Sequence, residues 1–79
     1  MGKAAAGHLK RLGDNLRRIR IAKGLSLRQL SAICTIDYSD IAKMERGEVN
    51  IRIQTLIELA KALEVHPKKI LDFEIDFND

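Results

Sequence analysis

From His8 to Lys23 the apolar residues Leu9, Leu12, Leu16 and Ile19 recur at spacings of three and four, which gathers them on one face of a helix. Gly24 closes that helix. Ser26 followed by Gln29 has the form of a capping box, in which hydroxyl and amide each satisfy a free backbone N–H, and predicts a short second helix over Leu27 to Cys34. Thr35 and Ile36 make a brief connection. Asp37 is a good N-cap for a third helix over Tyr38 to Arg46, stopped by Gly47. After the polar connection Glu48 to Arg52, which holds Val49 and Ile51 as buried-type side chains, a fourth helix is predicted over Ile53 to Leu63. Its apolar stripe is Ile53, Leu56, Ile57, Ala60 and Leu63. Pro67 suits the first turn of a fifth helix, with His66 as cap and Ile70 and Leu71 facing inward.

The period then changes. Phe73, Ile75 and Phe77 alternate with Glu74 and Asp76, so an extended segment would carry three apolar side chains on one face and two carboxylates on the other. The pattern divides the chain into a loose arm over 1–7, a helical domain over 8–72 and an acidic and apolar tail over 73–79.

With 79 residues the chain has room for one domain. A chain of this size buries only about 60–65% of its unfolded surface, which favours a binding module over a deep catalytic cleft. Hydrophobic residues make up 46%, and three aromatics leave little material for a sheet, so the expected fold is all-α. The lone Cys34 cannot staple the fold, and no window approaches the ~20 apolar residues of a membrane span; a cytoplasmic setting is expected. His8 and His66 lack the clustered partners of a metal site, no catalytic constellation falls on one plausible pocket, and neither an enzyme nor a cofactor is expected. The net charge of +3 divides unevenly: residues 1–52 hold 11 basic and 5 acidic residues, +6, while residues 53–79 hold 3 and 6, −3. A basic half that reads and an acidic half that faces away is the arrangement a nucleic-acid binder needs.

A short helix, a brief turn and a second short helix in a basic all-helical domain form the pattern of a helix-turn-helix, whose second helix can enter a DNA major groove. Leu27 to Arg46 resembles the helix-turn-helix of phage-repressor and Cro-type transcriptional regulators, with apolar residues at Leu30, Cys34, Ile36, Ile41 and Met44. The likeness extends through Glu45-Arg46-Gly47-Glu48-Val49-Asn50 to Leu59-Ala60-Lys61-Ala62-Leu63 and covers about residues 12 to 71. It implies a compact five-helix, lambda-repressor-like domain with the motif in the second and third helices, acting as a sequence-specific transcriptional regulator. Such a regulator would read a short palindromic operator in double-stranded DNA as a homodimer, acting as a repressor or as controller of its own operon.

The resemblance also assigns roles. Tyr38, Ser39, Lys43 and Asp40 are candidates for base edges. Arg17, Arg18, Arg28, Arg46, Asn50 and Arg52 are candidates for phosphates, with Lys3, Lys10 and Arg11 on or near the arm. Arg20 and Glu45 are expected to form a structural ion pair. The dimer surface is expected to be the fourth and fifth helices with Phe73, Ile75 and Phe77. Three departures stand out: Ser31 where the family usually has Ala, Thr35 where it usually has Gly, and Leu27 where many relatives have a phosphate-binding Gln. A β-branched Thr35 would be strained at positive φ, so the turn is expected to take another path. Arg28 or the backbone N–H groups of the helix start would take over the phosphate contact. Residues Asp37 to Gly47 carry a net −1, which keeps a second reading open: a protein-interaction module on the same fold, such as an antitoxin holding a toxin.

Overall fold

A computed structural model describes the backbone of residues 3–78 and the side chains of residues 7–78. Five helices follow in order: α1 (Lys3–Ala22), α2 (Leu27–Ile33), α3 (Tyr38–Glu45), α4 (Ile53–Leu63) and α5 (Pro67–Ile70). No strand occurs among the described residues.

The first helix begins at Lys3, five residues before the start expected from periodicity. Ala4 to Ala6 carry no apolar period, yet alanine has the highest helix propensity and extends a helix nucleated downstream. Met1, Gly2 and the side chains of Lys3 to Ala6, the rest of the expected arm, lie outside the described residues. Gly24 ends α1 at φ 73, and the N–H of Leu25 returns to the Arg20 carbonyl at 3.2 Å.

The capping box of α2 is complete. The Ser26 N–H donates to Gln29 Oε1 at 2.8 Å and the Gln29 N–H to Ser26 Oγ at 3.1 Å. The helix leaves through Cys34 in an extended conformation, φ −103 and ψ 170, and Glu64 is the one non-glycine residue among those described with positive φ. Thr35 therefore avoids the left-handed region. Ser31 explains how the turn holds without a glycine, since its hydroxyl donates to the Ile36 carbonyl across the connection at 2.8 Å. An alanine at position 31 could not make this bond.

Asp37 occupies the N-cap position of α3, but its side chain makes no capping bond; it accepts from Ser39 Oγ instead. Asp40 N–H and Ile41 N–H both reach the Asp37 carbonyl. At the other end Gly47, φ 72, lets the chain turn against α1, where a Cβ would stand 2.7 Å from Lys10 Cα. Gly13 completes this close crossing: a Cβ there would lie 2.5 Å from the Glu45 carbonyl oxygen. Side chains at these two positions would push α1 off the end of α3.

Leu16, Leu30, Ile41, Leu59, Leu63 and Ile70 are buried completely or nearly so and form the centre of the core. Ile19, Cys34, Met44, Leu56 and Ala60 surround them. The apolar stripe of α4 and the inward pair Ile70 and Leu71 are only partly buried. The core face of α4 is Leu56, Leu59, Ala60 and Leu63, while Ile53 and Ile57 remain 67% and 38% exposed on a second apolar face. Leu71 does not turn inward with Ile70, because α5 ends at Ile70, and it is 48% exposed. His66 caps α5 by accepting the Lys68 N–H at Nδ1, 3.1 Å. Asn15, buried on α1, secures the short helix from below: its Nδ2 donates to the carbonyls of Lys69 at 2.9 Å and Ile70 at 2.8 Å.

Candidate nucleic-acid interface

Ile41 and Met44 are turned into the core, and that rotation sets the rest of α3. Tyr38, Ser39, Asp40 and Lys43 are exposed together on its outer surface. Tyr38 stands at the first turn, nearest α2, and the Arg28 guanidinium lies over its ring with 4.5 Å to the centroid. A cation over an aromatic face at an exposed site contributes about 0.5–1 kcal/mol, enough to bias the rotamers of both side chains. The start of α2 and the start of α3 thus share a charged, half-aromatic corner. The capping box engages the Gln29 N–H and its amide oxygen, while the Arg28 guanidinium takes no part in it.

The ion pair that orients α3 is fully formed. Arg20 donates from Nε to Glu45 Oε2 at 2.6 Å and from Nη2 to Oε1 at 2.9 Å, and its Nη1 reaches the Leu25 carbonyl at 2.8 Å. Both side chains are buried, 10% and 6% exposed. One guanidinium thus joins α1, the entry to α2 and the last turn of α3. The side-chain hydrogen bonds to Glu45 raise the Arg20 pKa above its ordinary value against the opposing effect of burial.

The phosphate candidates divide by position. Arg17 and Arg46 share a cleft with Leu27 and Ala42 on the helix-turn-helix side. Asn50 and Arg52 line another with Asp40 and Thr55, on the far flank of α3. Arg46 is already occupied, donating from Nε at 2.7 Å and Nη2 at 3.2 Å to the Glu48 carboxylate. Those bonds hold the Glu48 carboxyl below its usual pKa. Arg18 lies elsewhere. It donates to Asn15 Oδ1 and borders a groove against α5 in which no residue of α2 or α3 takes part. Arg11, on the same face of α1, donates from Nη1 to the Glu74 carbonyl at 3.1 Å, and Lys10 pairs with Asp14 at 2.7 Å.

The tail departs from the expected strand. The Phe73 N–H turns back to the Leu71 carbonyl at 3.0 Å, and the segment lies against Arg11 as irregular chain. Phe73 is half-buried, Ile75 is 41% exposed and Phe77 is 91% exposed. Among the described residues no group of His, Cys, Asp and Glu could hold a metal ion, and no helix is long and apolar enough to cross a membrane.

Sequence reasoning did not find Glu48, Asn15 or the Ser31 staple. The Arg46-x-Glu48 spacing was a visible signal for the first; the other two depend on carbonyls that only folding brings near.

Comparison with known proteins places this geometry among regulators. Residues 16–70 match the family model described as Helix-turn-helix. Control protein C.BamHI of Bacillus amyloliquefaciens is 36% identical over 62 residues, 77% of this chain and 76% of that protein. Control protein C.SmaI of Serratia marcescens is 40% identical over 60 residues, 76% of this chain and 71% of that one. The crystal structure of the restriction-modification controller protein C.AhdI from Aeromonas hydrophila superposes with a TM-score of 0.79 at 34% identity, covering 81% of this chain and 97% of that structure.

Proposed function

This chain belongs to the helix-turn-helix family and is a DNA-binding transcriptional regulator rather than an enzyme; from that premise we propose that it is a controller protein that binds a short palindromic operator as a homodimer. The observation that carries the reading is the surface of α3. With Ile41 and Met44 buried, Tyr38, Ser39, Asp40 and Lys43 stand together between Arg28 on one side and Asn50 with Arg52 on the other. Lys43 can donate to guanine, Ser39 can pair with several bases, and Asp40 can accept from a cytosine amine. Tyr38 has one face covered by Arg28, so it meets DNA with its edge and hydroxyl. Arg17, Arg28 and Arg52 hold the backbone, and Arg46 joins them once its bond to Glu48 opens.

Arg20 and Glu45 act by fixing α3 rather than by touching DNA. One α3 reads only a few base pairs, and a useful site needs two copies about 10 bp apart or a multiple. The pairing surface we favour is built from Ile53 and Ile57, one turn apart on α4, with α5 and the apolar tail. A controller reading is favoured over an antitoxin reading because the likeness to control proteins covers most of both chains. Selection of bound sequences from random DNA at two salt concentrations tests the proposal. It stands on recovery of a two-fold site and falls if binding is weak and indifferent to sequence.

A further inference from the structure

The face of α1 that carries Arg11, Asn15, Arg18 and Ala22 has two unlike ends. At Arg11 it holds the tail of its own chain, which gathers there from Glu74 to Asn78. At the other end it forms a groove with α5 whose floor is Ile19, Ala22 and Val65 and whose rim is Arg18, Lys23 and Lys69 against the single carboxylate of Asp72. The bond from Arg18 to Asn15 steers that guanidinium to the rim, and these three cations stand apart from the recognition surface.

An apolar floor inside a cationic rim fits a segment in which an aromatic or aliphatic side chain sits between carboxylates. The chain carries such a segment in Ile75-Asp76-Phe77, next to Glu74, with Phe77 the most exposed large apolar side chain among those described. Within one molecule as folded the two do not meet. Arg11 precedes Ala22 by eleven residues, ~16 Å along the helix at 1.5 Å per residue. The match to the family model ends at residue 70, before the tail begins.

We propose that the α1/α5 groove receives the Ile75–Phe77 segment of a second copy, with Phe77 on the apolar floor and Asp76 among Arg18, Lys23 and Lys69. The inference rests on the pairing of two copies proposed above and names one contact of that pair. Reciprocal exchange of tails closes the assembly at two copies, as a two-fold contact requires.

The test uses the full chain without DNA. A photo-crosslinking benzoyl-phenylalanine is placed at Phe77 in a mixture of heavy-isotope and ordinary chains, and self-association is followed by sedimentation equilibrium. Crosslinks joining heavy to ordinary chains at residues 15–23 or 65–72 are the expected result. Phe77→Ser and Lys69→Glu should each weaken self-association about tenfold, the order expected for losing a buried aromatic or turning a desolvated attraction into repulsion. Asp76→Lys, which would meet Arg18 and Lys23 as well as Lys69, should weaken self-association at least as much as Lys69→Glu, and association indifferent to it would also overturn the assignment. Positions 69, 76 and 77 are exposed, so these variants fold, as circular dichroism would verify. Crosslinks within single chains, crosslinks to α4, or association indifferent to Lys69→Glu would overturn the groove assignment. A dimer that persists with its crosslinks on α4 removes this inference and leaves the pairing standing. A chain that remains monomeric at all concentrations removes both.

Discussion

Replacing Glu45 by alanine strands the Arg20 guanidinium at the junction of three helices. Arg20 loses two charge-assisted bonds, at 2.6 and 2.9 Å, and keeps one, to the Leu25 carbonyl. Removing one partner of a buried pair costs about 3–5 kcal/mol, because the remaining charge stays desolvated without compensation. The surviving bond, and the place of Arg20 in the wall of the cleft it shares with Leu27, put this case at the lower end, roughly 3 kcal/mol. At about 0.05–0.15 kcal/mol per residue the whole domain is stable by only ~4–12 kcal/mol. For a domain of this size the melting temperature should fall by about 12–24 °C. Thermal and urea denaturation followed by circular dichroism measure the loss. A double-mutant cycle with Arg20→Ala should give a coupling energy of at least ~1 kcal/mol, since the second truncation removes a charge that the first had orphaned. Replacing both residues by apolar ones, Arg20→Met with Glu45→Leu, should recover at least half of the loss. At a temperature where the Glu45→Ala protein is still folded, its preferred DNA sequence should be that of the parent. A melting temperature within about 3 °C of the parent, or a changed base preference with intact stability, would refute the orienting role.

Arg28→Ala and Arg52→Ala should each weaken binding to all sequences alike and reduce the salt slope by about one, read from affinities across a salt series; an unaltered slope counts against a phosphate contact. Glu48→Gln should tighten DNA binding several-fold and steepen the same slope, because it frees Arg46 and removes a carboxylate from the DNA-facing side. Acid should act in the same direction. The folded-state pKa of Glu48 lies below its unfolded value, so the pair's contribution to stability is present above the unfolded value and is lost as pH falls through the folded one, where Arg46 is released. Glu64, held at φ 57 at the end of α4, should gain about 0.5–1 kcal/mol of stability on replacement by glycine, measured by urea denaturation. Gly13→Ala should do the opposite and cost more than Gly24→Ala, since a Cβ at Gly13 meets the backbone of α3 while one at Gly24 meets open space and only the φ of 73 opposes it.

The elements that could be placed from the chain alone are those whose evidence is local. The Ser26 and Gln29 box, the left-handed glycines after α1 and α3, and the proline at the start of α5 each settle a boundary through bonds that reach no further than one turn. The start of α1 was misplaced because Ala4 to Ala6 offer propensity without period. The stripe read along α4 joins Ile53 and Ile57 to the core residues because periodicity reports only that a face is apolar, and in the fold these two stay 67% and 38% exposed.

The sequence by itself determined the five helices, the helix-turn-helix spacing, the charge division between the two halves and the family, because propensity, capping and period act over one or two turns. Tertiary structure decided what each charge is for. Arg17, Arg18 and Arg20 lie within four positions on one helix and differ little in the sequence, yet a helix spreads them over three faces. Arg17 opens toward the helix-turn-helix, Arg18 is drawn to the α5 groove by Asn15, and Arg20 is buried with Glu45. The worth of a charged group depends on which opposite charge, carbonyl or solvent it meets: the carboxylate that holds Arg20 comes from 25 positions away, and the Asn15 that draws Arg18 is itself fixed by the Ile70 carbonyl, 55 positions on.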